Sequence, residues 1–236
     1  MLFWLIPLII GIILLGIFLY FRVKEKRVIA VIIKGFVSLM FIATALVALL
    51  TGGNPHSTFG IFVLCGLFFG LLGDVFLDLK YIAKNELLFT ILGFFAFAFG
   101  HACYVSGLFI HFFNFDANVL YIIIPCVIAA LLTVATLLME KFMPIKYGQM
   151  KPYVVMYGIC LFFAVSIYWS ATIQSRFNAL TLLLMSIGLV LFMASDLILN
   201  NTYFSKGFNG PFYIITNHAL YYFGQFLIAV SLFFLI

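Results

Sequence analysis

The chain alternates long apolar stretches with short polar ones along its whole length. Eight apolar stretches of about 20 residues run without regular alternation between polar and apolar positions. Continuous runs of that length predict transmembrane α-helices, whereas barrel strands give shorter, alternating segments. The predicted spans are Leu2–Phe21, Val28–Leu50, Thr58–Leu77, Leu87–Phe112, Val119–Leu138, Pro152–Ile173, Asn178–Leu199 and Phe212–Ile236.

Composition agrees with this pattern and excludes a soluble fold. Hydrophobic residues make up 67% of the 236 residues and charged residues 8%, whereas about 25% of a typical soluble domain is charged. The segments between the predicted spans are short, so we expect one transmembrane helical domain over residues 1–236. The predicted fold class is an all-α membrane protein, a bundle of about eight transmembrane helices.

The distribution of basic residues predicts the orientation of the bundle. Of the 12 Lys and Arg residues, ten fall in the loops after the first, third, fifth and seventh spans, the last of them being Lys206. Positive charge marks the cytoplasmic loops of membrane proteins, so we expect both termini on the outer side. The same clustering explains the net charge of +5 without a nucleic-acid partner.

Several polar side chains fall inside the predicted spans, where an ionisable group costs about 2.5–3.5 kcal/mol on insertion scales. The strongest candidates for a functional role are Lys34, Asp74, His101, Asp196 and Gln225. By helical rise, the two aspartates lie about 5 Å and Lys34 about 9 Å from the cytoplasmic ends of their spans. Their similar depth predicts a polar cavity that opens toward the cytoplasmic side.

Structural roles for the charged residues remain open from sequence. Asp74 and Asp196 have an alternative interpretation as partners of Lys34 in a buried ion pair. Asp78 follows Asp74 by four positions and shares its helix face. At the end of its span, Asp78 is interpreted as a helix-end charge in contact with water.

The remaining polar candidates also have structural interpretations. His101 and Gln225 are residue types that hydrogen-bond across neighbouring membrane helices. Tyr104 and Tyr222 have an alternative interpretation as packing residues or as part of an interfacial aromatic belt.

Four short motifs, in order, suggest a family. They are Leu72–Leu77, Gly100–Tyr104, Ser195–Asp196 and Tyr222–Ile228. This ordered set, with the number of spans, resembles the YhhN-like lysoplasmalogenase family of polytopic membrane proteins. One departure is Gly35, which follows Lys34 where many members have proline.

The resemblance implies hydrolysis of the vinyl-ether bond of lysoplasmalogens, which releases a fatty aldehyde and a glycerophospho-alcohol. It also implies a site lined by Asp74, His101, Tyr104, Asp196 and Gln225, with Lys34 matching a lysine of the second span. We predict that Asp74 and Asp196 are catalytic, and that the substrate is bound or oriented by Lys34, His101, Tyr104, Tyr222 and Gln225. The implied partners are a lysophospholipid and membrane lipids, with no cofactor and no metal. We expect a multi-pass protein of a bacterial inner (cytoplasmic) membrane.

The expected chemistry suits two carboxyl groups. A vinyl ether hydrolyses by protonation on carbon, which generates an oxocarbenium ion, and glycosidases meet a related demand with an acid and a carboxylate. Asp74 and Asp196 are predicted to divide these roles, in an order that the sequence leaves open. Lys34 either attracts the lipid phosphate or tunes an aspartate.

Three other functions use similar polar residues in a membrane. An intramembrane aspartyl protease has a GxGD motif, but the glycines of Gly70–Asp74 are wrongly spaced, and His218 lacks the HxxxH companion of zinc amidases. The stronger alternative is a small transporter or lipid-binding protein that uses the same polar residues as a proton relay. No inverted repeat of the kind found in many transporters is evident.

Overall fold

The computed structural model describes residues 2–113, 118–205, 208 and 210–235, a range that leaves out Lys206. Eight long helices lie within these residues, which confirms the predicted all-α class. They are α1 (Leu5–Val23), α2 (Arg27–Thr51), α3 (Thr58–Leu79), α4 (Glu86–His111), α5 (Leu120–Phe142), α6 (Lys151–Gln174), α7 (Leu180–Phe204) and α8 (Pro211–Ser231).

The predicted helix ends differ most for α5, α7 and α8. Helix α8 ends at Ser231, where a 3-10 turn begins, short of the predicted Ile236, which lies outside the described residues. The other two helices, α5 and α7, are longer than predicted. These helices continue to Phe142 and Phe204, beyond the ends predicted from the apolar runs. In α7 the extension is polar: Asn201 Nδ2 donates to the Leu197 carbonyl at 3.1 Å, and Thr202 Oγ1 donates to that of Ile198 at 2.8 Å. The end of an apolar run marks the hydrocarbon boundary, and a helix can continue past it.

Seven of the eight described helices are long and apolar enough to cross a membrane. This identifies a multi-pass integral membrane protein. The exception is α8, whose 21 residues correspond to about 32 Å of helix. It carries polar residues such as Asn217 and Gln225, and both are buried inside the bundle. The sidedness of the termini stays a prediction from the Lys and Arg distribution.

Six helices form a closed ring in the order α2, α3, α4, α6, α7 and α8, with α8 packing back against α2. Outside this ring, α1 packs on α2 and α8, and α5 packs on α6. The ring therefore surrounds an interior space to which α2, α3, α7 and α8 contribute their polar residues.

Two glycines allow a close approach between α7 and α8. A Cβ atom added to Gly188 would lie 2.8 Å from the Gly224 carbonyl oxygen, and one added to Gly224 would lie 2.6 Å from that of Gly188. Small residues let membrane helices pack backbone to backbone. This contact fixes α7, which carries Asp196, beside α8, which carries Tyr221.

Candidate functional site

A polar cavity of about 780 Å³ lies inside the ring, at the end where the α1–α2 and α3–α4 loops are found. Its wall includes Arg22, Lys34, Asp74, Asp78, Ser195, Asp196, Asn217, His218 and Tyr221. The two aspartates singled out from the sequence therefore face one cavity, from α3 on one side and α7 on the other.

Lys34 joins two carboxylates on the α3 side of the cavity. Its Nζ lies 3.2 Å from Asp74 Oδ1 and 3.1 Å from Asp78 Oδ1. A second cation, Arg22 of α1, binds the same oxygen of Asp78 through Nη2. Two acidic and two basic side chains thus form a connected network with balanced charge. We call these four residues the ion-pair network.

The network corrects the interpretation of Asp78. This residue was expected to be a helix-end charge in contact with water, but it is only 2% exposed and is bound by two cations. The expectation is wrong because α1 ends beside α3, and Arg22 covers the carboxylate that would otherwise reach the interface. The ion pair proposed for Lys34 forms with Asp74, and its second carboxylate is Asp78 in place of Asp196.

Asp74 also accepts two neutral hydrogen bonds. Ser38 Oγ donates to Asp74 Oδ2 at 2.6 Å, and Tyr221 Oη donates to the same oxygen at 2.7 Å. Tyr222 Oη lies 3.1 Å from Ser38 Oγ behind this contact. Lys34, Ser38 and Tyr221 therefore all act as donors toward Asp74. This arrangement suits a carboxylate anion, which only accepts hydrogen bonds.

Asp196 has a different environment on the opposite wall. Tyr157 Oη makes a short hydrogen bond to Asp196 Oδ2, and Ser195 Oγ lies 3.5 Å from Oδ1. Within the described part of the chain, no Lys, Arg or His nitrogen lies within 4.0 Å of this carboxyl group. The carboxyl of Asp196 is thus bound by a phenol and held without a counter-charge.

His101 stands behind Tyr157 and does not line the cavity. Its Nε2 lies 3.5 Å from Tyr157 Oη, and the side chain is 1% exposed. Its Nδ1 is buried without a hydrogen-bond partner among the described residues. A neutral ring protonated on Nε2 fits these surroundings, since it donates to Tyr157 and leaves no buried proton unpaired.

The other predicted site residues also lie behind the cavity wall. Gln225 Nε2 donates to Tyr221 Oη at 3.1 Å, and Tyr104 Oη donates to Gln225 Oε1 at 3.4 Å. Gln225 and Tyr222 are 0% exposed and Tyr104 is 1% exposed. These three side chains do not line the cavity; they support Tyr221 and Ser38, which contact Asp74.

Cations and aromatic rings frame the mouth of the cavity. Lys80 Nζ lies 3.0 Å from the centre of the Tyr203 ring, and the Arg22 guanidinium lies 4.6 Å from that of Tyr81. Burial lowers the pKa of Lys80 from 10.5 to about 7. An anion that binds beside Lys80 favours the protonated, charged form of this side chain.

Several residues of this site were not predicted from the sequence, although some of them carry a usable signal. Ser38 follows Lys34 by four positions and therefore shares its face of α2, so it was open to prediction. Arg22 and Tyr157 gave no such signal. A basic residue at a helix end and a tyrosine in an apolar helix both match ordinary membrane-interface residues.

Comparison with known proteins identifies a family. No curated protein and no solved structure matches the chain. The profile of the YhhN family matches residues 29–232, a range that includes α3 to α8, all but the first two residues of α2, and both aspartates facing the cavity. With a match over most of its length, the chain belongs to the YhhN family.

Proposed function

We propose that this protein is a membrane hydrolase that cleaves the vinyl-ether bond of lysoplasmalogen-type lysophospholipids. The observation that carries the proposal is the pair of carboxyl groups that face one cavity in opposite surroundings. Asp74 has a cation and two hydroxyl donors, whereas Asp196 has hydroxyl partners alone among the described residues. Acid catalysis through a cationic intermediate needs one group of each kind.

In this proposal Asp196 is the general acid. A carboxyl group with no cation beside it favours its protonated form more than an ion-paired one does, and Asp196 has no cation within 4.0 Å among the described residues. Tyr157 fixes Oδ2 of the carboxyl, and Oδ1, whose one hydroxyl neighbour among the described residues is Ser195 at 3.5 Å, carries the proton toward the cavity. His101, which contacts Tyr157, positions the phenol.

Asp74 is the anion that stabilises the developing positive charge. Lys34, Ser38 and Tyr221 keep it ionised and immobile. A preorganised group needs no rearrangement as the transition state forms, which is the main source of electrostatic stabilisation in enzymes.

The steps balance with one water molecule. Asp196 gives its proton to the double-bond carbon that is farther from the ether oxygen, and the π electrons form the new C–H bond. The carbon attached to the ether oxygen becomes an oxocarbenium ion. Water adds to that carbon and loses a proton to the Asp196 carboxylate, which restores the acid. The resulting hemiacetal breaks its bond to the glycerol oxygen as its hydroxyl proton transfers to that oxygen, giving an aldehyde and an alcohol.

The phosphate of the substrate needs a cation that is not already paired. Lys34 is committed to two carboxylates, so it does not serve as the phosphate site in this scheme. Lys80 and Arg27 line the same cavity at its mouth, and Lys80 makes no ion pair with a described residue. We assign the attraction of the phosphate to these two side chains.

The test uses purified protein, a 1-alkenyl lysophospholipid and mass spectrometry of the products. Loss of substrate with matching gain of fatty aldehyde is the expected result, and Asp196→Asn should abolish it. Undiminished aldehyde release in both Asp196→Asn and Asp74→Asn would refute the two-carboxylate mechanism. Proton-coupled flux in liposomes without lipid turnover would instead support the transporter alternative.

A further inference from the structure

A second, apolar pocket meets the polar cavity at Asp196. It lies on the α6 surface between α5 and α7, has a volume of about 60 Å³ and includes Thr136, Val154, Gly158 and Leu161 in its wall. Asp196, Leu199, Tyr203 and Phe204 line both this pocket and the polar cavity. One carboxyl group therefore stands where a polar space and an apolar space join.

The apolar pocket reaches the outer surface of the bundle, since Leu197 of α7 lines it and is 38% exposed. Both α5 and α7 pack on α6, and Gly158 of α6 lies between them with no side chain. The outer face of α5 is apolar and exposed, with Leu131 63% and Val134 52% exposed. In a membrane this face contacts lipid tails, so the pocket lies beside the hydrocarbon.

Tyr147 joins α5 to α7 beside the pocket through two residues of the pocket wall, Thr136 and Asn200. Its Oη donates to the Thr136 carbonyl of α5 at 3.0 Å and accepts from Asn200 Nδ2 of α7 at 3.0 Å. The side chain is 2% exposed. The apolar pocket therefore adjoins the polar cavity at the residues that line both, and it adjoins the bilayer on the side of Leu197.

The geometry points to the apolar pocket as the subsite for the hydrocarbon chain of the lipid substrate, with the chain extending sideways into the bilayer between α5 and α7. This inference rests on the proposed function and assigns the tail of the same substrate. An amphiphile with its head in the polar cavity and its tail in the apolar pocket has the bond between them beside Asp196. A single-chain lipid with its labile bond next to the head group matches that order.

The size of the pocket limits what it selects. A volume of about 60 Å³ accommodates about four groups of the size of a water molecule or a methylene. The pocket therefore holds the first carbons of the chain, and the remaining carbons lie in the bilayer. The choice among lipid substrates should therefore depend on the bulk of the hydrocarbon chain near the ether bond, and it should depend little on the total length of that chain.

The test is photolabelling with a saturated-ether lysophospholipid that carries a diazirine within its first few chain carbons. Such a probe lacks the vinyl ether and is not cleaved. Peptide mapping should place the label around residues 154–162 and 196–204. Label spread evenly over lipid-facing helices such as α1 would overturn the inference.

Variants with larger side chains in the pocket test the same inference. Gly158→Leu and Thr136→Phe should each lower labelling there by about tenfold or more, the range over which apolar pockets discriminate by bulk. Gly16→Leu makes the same change on an exposed face of α1 with no atom within 4 Å of the added Cβ, and should leave labelling unchanged. Unchanged labelling in both pocket variants would also overturn the inference.

A smaller substitution at the same position separates an effect on the pocket from an effect on folding. A Cβ at position 158 would lie 3.6 Å from Phe162 and 3.8 Å from Thr133, both ordinary contact distances. Gly158→Ala should therefore fold and label at an intermediate level. Label in the pocket without aldehyde release from a lysoplasmalogen would refute the hydrolase and retain the chain site, whereas aldehyde release with label elsewhere would refute the chain site alone.

Discussion

The α3 wall and the α7 wall of the polar cavity hold the same functional group in opposite ways. On the α3 side, Asp74 belongs to an ion-pair network with Lys34, Asp78 and Arg22. On the α7 side, Asp196 makes hydrogen bonds to hydroxyl groups and has no cation within 4.0 Å among the described residues.

The contrast explains how a membrane interior can support two carboxyl groups with different roles. The chemistry of a side chain depends on the charges and donors around it, and these come from neighbouring helices. In the lipid interior each partner has a large effect because little water screens it.

The largest effect is expected for Asp196→Asn. Asparagine keeps the size of the side chain but supplies no acid, so hydrolysis of a lysoplasmalogen should fall by about 10³-fold, within the range for general acid catalysis. Asp196→Glu should retain part of the activity. Aldehyde release measured under saturating substrate tests this, and near-normal turnover by the asparagine variant would move the acid role elsewhere.

The α3 wall should respond in stability as well as activity. Asp74→Asn leaves Lys34 and Arg22 to share Asp78, and an unpaired buried charge costs about 3–5 kcal/mol. Lys34→Met with Asp74→Asn removes one charge of each sign and should recover most of that loss, while hydrolysis stays low. Unfolding in mixed micelles gives the free energies. A double variant as unstable as Asp74→Asn would show that the ion pair is not the source of the loss.

The fold could be predicted from the sequence more completely than the site. Continuous apolar runs were enough to predict eight helices, because each helix must satisfy its own backbone hydrogen bonds in lipid. The depth of Lys34, Asp74 and Asp196 followed from position along each span. The pairing did not, because it depends on which helices are neighbours: Arg22 binds Asp78 across 56 positions of sequence.

The same limit applies to the residues implied by the family resemblance. Motifs led to Tyr104 and Gln225, which lie behind the cavity wall, and missed Tyr157, which contacts Asp196. A motif identifies positions without saying which side chain reaches the cavity and which one supports it.

A smaller effect is expected when the phenol on the α7 wall is removed. Tyr157→Phe deletes the short hydrogen bond to Asp196, and a bond of that kind is worth about 1–3 kcal/mol. Hydrolysis should fall by roughly tenfold with a shifted pH profile, because the protonation of Asp196 changes with its donor. Tyr153→Phe makes the same change on α6 at a residue that does not line the cavity. Equal losses in the two variants would indicate a packing effect only.

The smallest effect concerns Lys80, which lies at the mouth between the two walls. Burial lowers its pKa to about 7, and nearby Asp78 only partly offsets this. The unfolded chain therefore binds more protons than the folded one between about pH 7 and 10.5, so this residue makes the free energy of unfolding rise with pH in that window. The slope should remain below about 1.4 kcal/mol per pH unit, since the side chain is partly exposed.

Unfolding of the wild type and Lys80→Met in mixed micelles, compared from pH 7 to pH 9, measures this contribution. Wild type should gain stability relative to Lys80→Met as the pH rises, because the methionine cannot titrate. Lys84→Met removes an exposed lysine of the same loop and should track the wild type across the range. If the difference between wild type and Lys80→Met stays constant with pH, Lys80 is fully charged in the folded protein, and the mouth of the cavity is a permanent cationic site open to phosphate.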